Sequence, residues 1–262
     1  MHFVKYNGLG NDFIFLDGQA ALQVTDPAAL ARQLCDRYTG IGADGLVLLL
    51  PSKTADVRMR IINSDGSEAE MCGNASRCVP LHLTQTSMPT KTHFTLETLA
   101  GLIDTEIVDA QKKWVRVNMG CARQVMSLTV KVAEKEFAGM CVSMGNPHFV
   151  IPVQDVENFP VAHWGPLLEK HPAFPHKTNV EFVQVLDGQT VRMRVWERGA
   201  GITRACGTGS CATAVACATW KLTEPQIVVK LDGGELRIAW QNHKEILMTG
   251  PAQKVFEGDI VL

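Results

Sequence analysis

The tetrad Val-Arg-Met-Arg occurs twice, starting at Val57 and at Val191, and each copy is followed at the same distance by Cys-Gly, first Cys72-Gly73 and then Cys206-Gly207. A serine stands four residues past each cysteine, at Ser76 and Ser210. The stretches VRMRIINSDGSEAEMCGNAS and VRMRVWERGAGITRACGTGS therefore superpose without a gap. Internal duplication has to be found before a fold is assigned, because a repeated unit changes what the rest of the pattern can mean. The same offset, to within two residues, sets Gly10-Asn11 against Gly145-Asn146, GLVLLL from Gly45 against NVEFVQ from Asn179, and ETLAGLIDTEI against VKLDGGELRIA. VRVNMG matches ILMTGP more loosely. A period of this size is a domain and not a solenoid repeat, so the chain reads as two similar domains.

Composition supports that reading. A chain of 262 residues is long for one core and comfortable for two of roughly 100 to 150 residues each. Hydrophobic residues make up 46% and charged residues 20%, as in a soluble globular protein. A formal net charge of −2 supplies no electrostatic reason to expect nucleic acid or an anionic membrane as partner. No apolar run approaches the ~20 residues that span a bilayer, and the start MHFVKYNGLGND has no apolar core behind a basic patch; a cytoplasmic location is expected. The eight cysteines are then expected to be thiols. Zinc needs closely spaced ligand pairs. Cys72 with Cys78 and Cys206 with Cys211 are spaced too loosely, with no second pair beside either, so no metal is expected.

Periodicity and punctuation place the elements. HFVKYNGLGNDFIFLDG alternates around a Gly-Asn turn, and GLVLLL and DVRMRIIN are strands joined by SKTAD as a hairpin loop. DPAALARQLCDRYTG carries an Asp cap, a first-turn proline, apolar residues at helical spacing and a closing glycine, and predicts a helix. GSCATAVACATWKL predicts a buried helix entered from ACGTG, with GNASRCVPLHLTQTS as its counterpart, kinked or shortened by Pro80. Many strands per half, a flanking helix and a helix entered through Cys-Gly define an α+β fold.

A cysteine at a helix entrance meets unpaired backbone N–H groups and the positive end of the dipole, which favour thiolate. The small neighbours Gly73, Ala75, Gly207 and Gly209 let a ligand come close to the backbone, and such an entrance can hold a carboxylate. Cys72 and Cys206 therefore read as a reactive pair, whereas Cys35, Cys121, Cys141, Cys211 and Cys217 read as small core residues. Duplicated domains facing across a pseudo-twofold axis would set the two thiols on opposite sides of one cleft. Inverting a tetrahedral carbon needs a base on one face and an acid on the other, with donors for the charge that builds up between them. An amino-acid-binding module without chemistry, or a redox or metal sensor, would use some of the same residues. GLGNDF and GIGADG lack the strand-then-helix context of a nucleotide loop.

KYNGLGNDF, RYTGIGADGL, NSDGSEAEMCGN, VSMGNPH, NVEFV, WERGAGITRACGTGSCA and MTGPA together resemble the diaminopimelate epimerases over essentially the whole chain. The resemblance implies two pseudosymmetric domains from the duplication, each a curved, mostly antiparallel sheet around a central helix, at 1–117 and 118–251, with the strand 252–262 returning to the first. It implies a homodimeric, cofactor-independent epimerase that inverts the α-carbon of LL-diaminopimelate to the meso form, in lysine and peptidoglycan precursor synthesis, with pyridoxal phosphate unnecessary. By the same resemblance Cys72 and Cys206 are the acid/base pair and His148 and Glu197 assist them. Asn11, Asn63, Asn146, Asn179 and Arg198 are then expected to bind the amino-acid substrate, together with Gly73-Asn74 and Gly207-Thr208. At the repeat offset Asn63 falls opposite Glu197, and Phe13 falls close to the position opposite His148, so the thiols are symmetric while the recognition groups are not. The chain departs from the family pattern at Ala75 and Ser76, where glycine is usual, at Gly45, where some members carry glutamine, and at Pro80. A racemase of histidine or proline on the same fold is the alternative these departures leave open.

Overall fold

The computed structural model describes residues 1–261. They form two compact units, Met1–Val117 with Gly250–Leu262, and Asn118–Thr249. In the first, β1 (His2–Gly8) turns at Gly10, whose φ of 87° is left-handed, into the antiparallel β2 (Asn11–Leu16). The chain crosses over through α1 (Gly18–Leu22) and α2 (Pro27–Cys35) to β3 (Gly45–Leu50), which lies parallel to β2. β4 (Val57–Asn63) pairs antiparallel with β3 and carries the short β5 (Glu68–Ala69). The helix α3 (Gly73–Thr86) then leads to β6 (His93–Thr98), parallel to β4, and β7 (Gly101–Asp109) and β8 (Trp114–Cys121) follow as antiparallel neighbours.

The second unit repeats this plan strand for strand. β9 (Arg123–Val132) pairs with β10 (Lys135–Ser143), and β10 with β11 (Pro147–Pro152). After α4 (Val161–Glu169) comes β12 (Asn179–Asp187), parallel to β11. β13 (Thr190–Glu197) pairs with β12 and carries β14 (Gly201–Ile202). The helix α5 (Gly207–Thr219) leads to β15 (Gln226–Leu231), parallel to β13, then β16 (Gly234–Trp240) and β17 (Glu245–Pro251). The crossover holds two helices in the first unit and one in the second, and the place occupied by β9 is filled differently in the first unit: there β18 (Gln253–Asp259) comes back from the end of the chain to pair with β1. The register repeats as well. Leu46 faces Ile62 as Val180 faces Trp196, and Val57 faces Leu96 as Val191 faces Val229.

Each unit wraps its sheet around one buried helix. α3 packs on β1, β6 and β7, and α5 on β10, β11, β12, β15 and β16. The Ala-rich run of α5 is buried from Gly209 to Cys217, because small side chains let strands close in on all sides. α2 forms as its sequence predicts: Asp26 Oδ1 accepts from Ala29 N at 2.9 Å, Pro27 opens the first turn, and Leu30, Ala31, Leu34 and Cys35 face the core. Pro80 does not shorten α3, which runs through it to Thr86. Its missing N–H costs one hydrogen bond, but every residue from Gly73 to Leu83 is buried, and packing of that extent outweighs propensity. Ala75 and Ser76 lie fully buried within this helix. The serines of the repeat close the first turn of each central helix, with Ser76 Oγ donating to Cys72 O at 2.9 Å and Ser210 Oγ to Cys206 O at 2.8 Å. No described helix is long and apolar enough to cross a membrane.

Candidate active site

The cysteines of both repeated Cys-Gly pairs occupy the N-cap of the central helix of their unit, in extended backbone at φ −139° for Cys72 and −118° for Cys206. β4 and β13 end just upstream, so the duplicated strand-turn-helix delivers an equivalent thiol in each half. All eight cysteines are thiols. Cys35, Cys78 and Cys217 are buried, and burial pushes each thiol up to about 12, which makes them inert packing groups. Cys121 corrects the core reading given to it, being exposed at the end of β8, and Cys141 is half-buried.

In the first unit Cys72 Sγ lies 3.8 Å from Asn11 Oδ1, which also accepts from Asn74 Nδ2 at 3.1 Å. Asn11 Nδ2 in turn donates to Asp44 Oδ2 at 2.7 Å. Behind Asn11 stands a charged brace. Arg37 Nη2 bridges Asp12 Oδ1 at 2.9 Å and Asp44 Oδ1 at 2.8 Å, and Lys5 Nζ reaches Asp12 Oδ2 at 2.9 Å. Burial alone would raise the Asp12 carboxyl, but hydrogen bonds and charge from Arg37 and Lys5 hold it below the usual carboxylate range. Gly73 and Asn74 open α3 at this thiol. Asn63, at the end of β4, donates its side-chain amide to Ser67 Oγ at 3.0 Å and is exposed.

The second unit sets different groups on the same frame. Cys206 Sγ accepts from Gly209 N at 3.3 Å and lies 3.6 Å from Thr208 Oγ1. Asn146, the counterpart of Asn11, donates to Thr208 Oγ1 at 3.3 Å and meets His148 Nε2 at 3.1 Å through Oδ1. His148 Nδ1 donates to Glu181 Oε1 at 2.7 Å, and both side chains are fully buried. Thr203 Oγ1 donates to Glu197 Oε1.

Asn179 braces its neighbours, with Nδ2 on Pro147 O at 2.8 Å and Oδ1 accepting from Arg198 N at 2.9 Å. The Arg198 guanidinium donates to His176 O at 3.2 Å. Glu169, 4% exposed, accepts from Trp196 Nε1 at 2.8 Å and Gly199 N at 3.2 Å, and so brackets Glu197 and Arg198 from both sides. Cys72, Asn11 and Asn74 are thus gathered in one unit, and Cys206, Thr208, Asn146 and His148 in the other. Asn63 is held by Ser67, and Asn179 and Arg198 hold each other.

The expectation that a helix entrance makes Cys206 a thiolate is corrected by its surroundings. Burial pushes this thiol well above its ordinary range, and the carboxylates of Glu197 and Glu181 push it further, against the lowering from the Thr208 hydroxyl and the Gly209 N–H. One amide and a dipole end do not offset desolvation with two nearby negative charges. Cys206 therefore holds its proton in the resting protein.

Gly209 is required by this crowding. A Cβ there would stand 2.6 Å from Glu181 Oε1 and 3.1 Å from Cys206 Sγ. Gly209→Ala is expected to keep α5, since alanine favours helix, yet to cost about 1–3 kcal/mol by overpacking and to lower turnover by about tenfold or more, as an interaction of about 1.4 kcal/mol would. Melting curves and kcat measured together check this; a variant as active as the native protein would mean that the thiol and carboxylate need no such clearance.

Comparison with known proteins agrees with this frame. Among solved structures, a phenazine biosynthesis protein of the PhzF family from Bacillus anthracis superposes with a TM-score of 0.77 at 16% identity, covering 100% of this chain and 99% of that one. A probable proline racemase from Agrobacterium radiobacter superposes at 0.75 with 18% identity, covering 100% and 93%. At these identities the likeness is one of fold alone. A sequence model of the family described as diaminopimelate epimerase matches residues 3–125 and 140–255. Proteins named diaminopimelate epimerase from Desulforudis audaxviator, 49% identical over 98% of this chain and 98% of that protein, and from Pelotomaculum thermopropionicum, 47% over 99% and 98%, are similar from end to end. The chain belongs to the diaminopimelate epimerase family.

Two acids in the site escape a reading by motif. Glu181 sits inside NVEFV, but only its charge at a core position marks it; at the repeat offset its counterpart is Val47 in GLVLLL. Glu169 carries no motif at all, and its role comes from the way α4 packs on Trp196, where a Cβ on Gly165 would lie 2.5 Å from the indole.

Proposed function

We propose that this protein is a cofactor-independent epimerase that converts LL-diaminopimelate to the meso form by proton transfer between two thiols. The observation that carries this is the pair of N-cap cysteines at equivalent positions of the two repeated units, in a chain of this family. Inversion needs one thiol to take the Cα proton and the other to return a proton to the opposite face. On that reading the two thiols exchange the roles of acid and base with the direction of the reaction, Cys72 standing beside Asn11 and Cys206 beside Thr208.

The first-turn N–H groups at Gly73-Asn74 and Gly207-Thr208 supply donors for the substrate carboxylate and for the charge growing on it as Cα loses its proton. His148 and Glu197 serve the reacting end. Asn11, Asn63, Asn146, Asn179 and Arg198 line the recognition side, Arg198 with a planar fork suited to a distal carboxylate. Thiol chemistry suits a reducing compartment such as the cytoplasm.

The test is an assay in heavy water, without added cofactor, starting from pure LL-diaminopimelate. Product is expected to carry deuterium from the first turnover while remaining substrate stays protiated, because each thiol holds a single proton. Substrate that gains label faster than product forms would rule out two separate thiols. Run beside it, histidine and proline are expected to turn over far more slowly than diaminopimelate; if either outpaces it, the substrate assignment is wrong.

A further inference from the structure

We propose that Glu181 is a positioning residue for proton transfer at Cys206, acting through His148 on one side and standing beside the thiol on the other. This rests on the epimerase reading of the same half-site. The register of the duplication carries the argument. His148 pairs with Asn179 on the neighbouring strand as Phe13 pairs with Gly45, and Val150 pairs with Glu181 as Phe15 pairs with Val47. His148 and Glu181 thus occupy the places that Phe13 and Val47 hold in the first unit. Phe13 is 3% exposed and Val47 fully buried, so the frame accepts an apolar pair at these positions.

Exchanging that pair for a buried imidazole and carboxylate gains nothing in stability, since desolvating two such groups costs as much as their attraction returns or more. The second unit nevertheless makes the exchange at the one helix entrance that holds Cys206. Glu181 is not even fully satisfied as a structural acid would be: Oε1 takes the His148 Nδ1–H at 2.7 Å, while Oε2 is buried with no hydrogen-bond partner among the described residues. The carboxylate also lies against the turn that cradles the thiol, because a single Cβ placed on Gly209 would meet both Glu181 Oε1 and Cys206 Sγ.

This placement acts on both neighbours. A carboxylate has no proton to give, so His148 donates to Glu181 from Nδ1, and this bond orients the ring with Nε2 against Asn146 Oδ1, whose amide nitrogen in turn donates to Thr208. Its negative charge, with that of Glu197 at the end of β13, opposes loss of the Cys206 proton, while the Thr208 hydroxyl and Gly209 N–H of α5 favour it. His148 on β11 faces the same carboxylate. Glu181 thereby adds to the hold on this proton that burial and Glu197 already give.

The test uses Glu181→Gln, which keeps the shape and removes the charge, in the full-length protein. Alkylation of Cys206 by iodoacetamide, followed by peptide mass across pH, is expected to shift its midpoint to lower pH in the variant, because one of two opposing charges is gone. For LL-diaminopimelate, kcat is expected to fall by about 10²-fold while KM stays within about threefold. The double substitution His148→Phe with Glu181→Val, the pair carried by the first unit, is expected to fold, to show the same downward midpoint and to lose turnover. An alkylation profile of either variant that superimposes on the native one, or an unchanged kcat in Glu181→Gln, overturns the proposal. Alkylation needs no substrate, so native protein that fails to epimerise diaminopimelate would refute the functional reading while leaving this readout in place.

Discussion

Replacing Cys206 by alanine is expected to abolish epimerisation in both directions, and replacing Cys72 is expected to do the same. The acid of the forward reaction is the base of the reverse, so neither direction survives the loss of one thiol; the loss expected is about 10²- to 10⁴-fold for removal of one general acid or base. The fold is expected to persist. Cys206 is 5% exposed, and its thiol caps α5 only through Gly209 N, while the Ser210 hydroxyl still closes the first turn on the backbone. Truncating so small a side chain costs about 1 kcal/mol. The contrast between lost turnover and a melting temperature within a few degrees of native separates chemistry from stability. Turnover that remains within about tenfold of native in either variant, a difference of about 1.4 kcal/mol in barrier, would show that the thiol is not one of the two proton-transfer groups.

Removing Asp12 is expected to produce the largest loss of stability. Its side chain is 12% exposed, as is that of Lys5, and its carboxylate is shared between Lys5 and Arg37. Asp12→Ala would leave the Lys5 ammonium buried without its counter-charge, and breaking a buried pair by removing one partner costs about 3–5 kcal/mol. A fall in melting temperature of about 10 °C follows for a domain of this size, together with reduced turnover as Arg37 and Asp44 release Asn11. The pH dependence has a defined sign. Because the folded carboxyl is held below its usual range, its contribution is present above the unfolded value of about 3.9 and is lost as pH falls through the lower folded value. The native protein is therefore expected to lose stability more steeply than Asp12→Ala on acidification in that window. Parallel acid-unfolding curves for the two proteins would show that the brace contributes nothing.

Much of this architecture is legible in the sequence because duplication doubles every signal. The second Val-Arg-Met-Arg and the second Cys-Gly predict equivalent strands and helix entrances, and the cap, proline and glycine of α2 are local chemistry that needs no partner. What is not legible depends on neighbours far along the chain. The helix entrance at Cys206 reads locally as a place that favours thiolate, yet burial opposes this, and the charges that add to it come from Glu197 at the end of β13 and Glu181 on β12, brought close by the sheet. Pro80 reads as a break because propensity is local, while the burial that overrides it is supplied by β1, β6 and β7. Asn179 and Arg198 read as substrate groups by resemblance; that they also brace each other is a matter of register between β12 and the turn after β13.

The returning strand β18 gives the two units unequal histories during synthesis. Every strand of the second unit has been made before Gln253–Asp259 exists, whereas β1, translated ahead of all of them, waits for them as its outer neighbour. The second unit can therefore close its sheet while the first still presents a bare strand edge, the kind of surface that recruits foreign strands. Pairings across so much intervening chain are also the slowest to form. The N-terminal half of this protein is the first to be translated and the last to be finished, and the vulnerable interval in its production is the one between those two events.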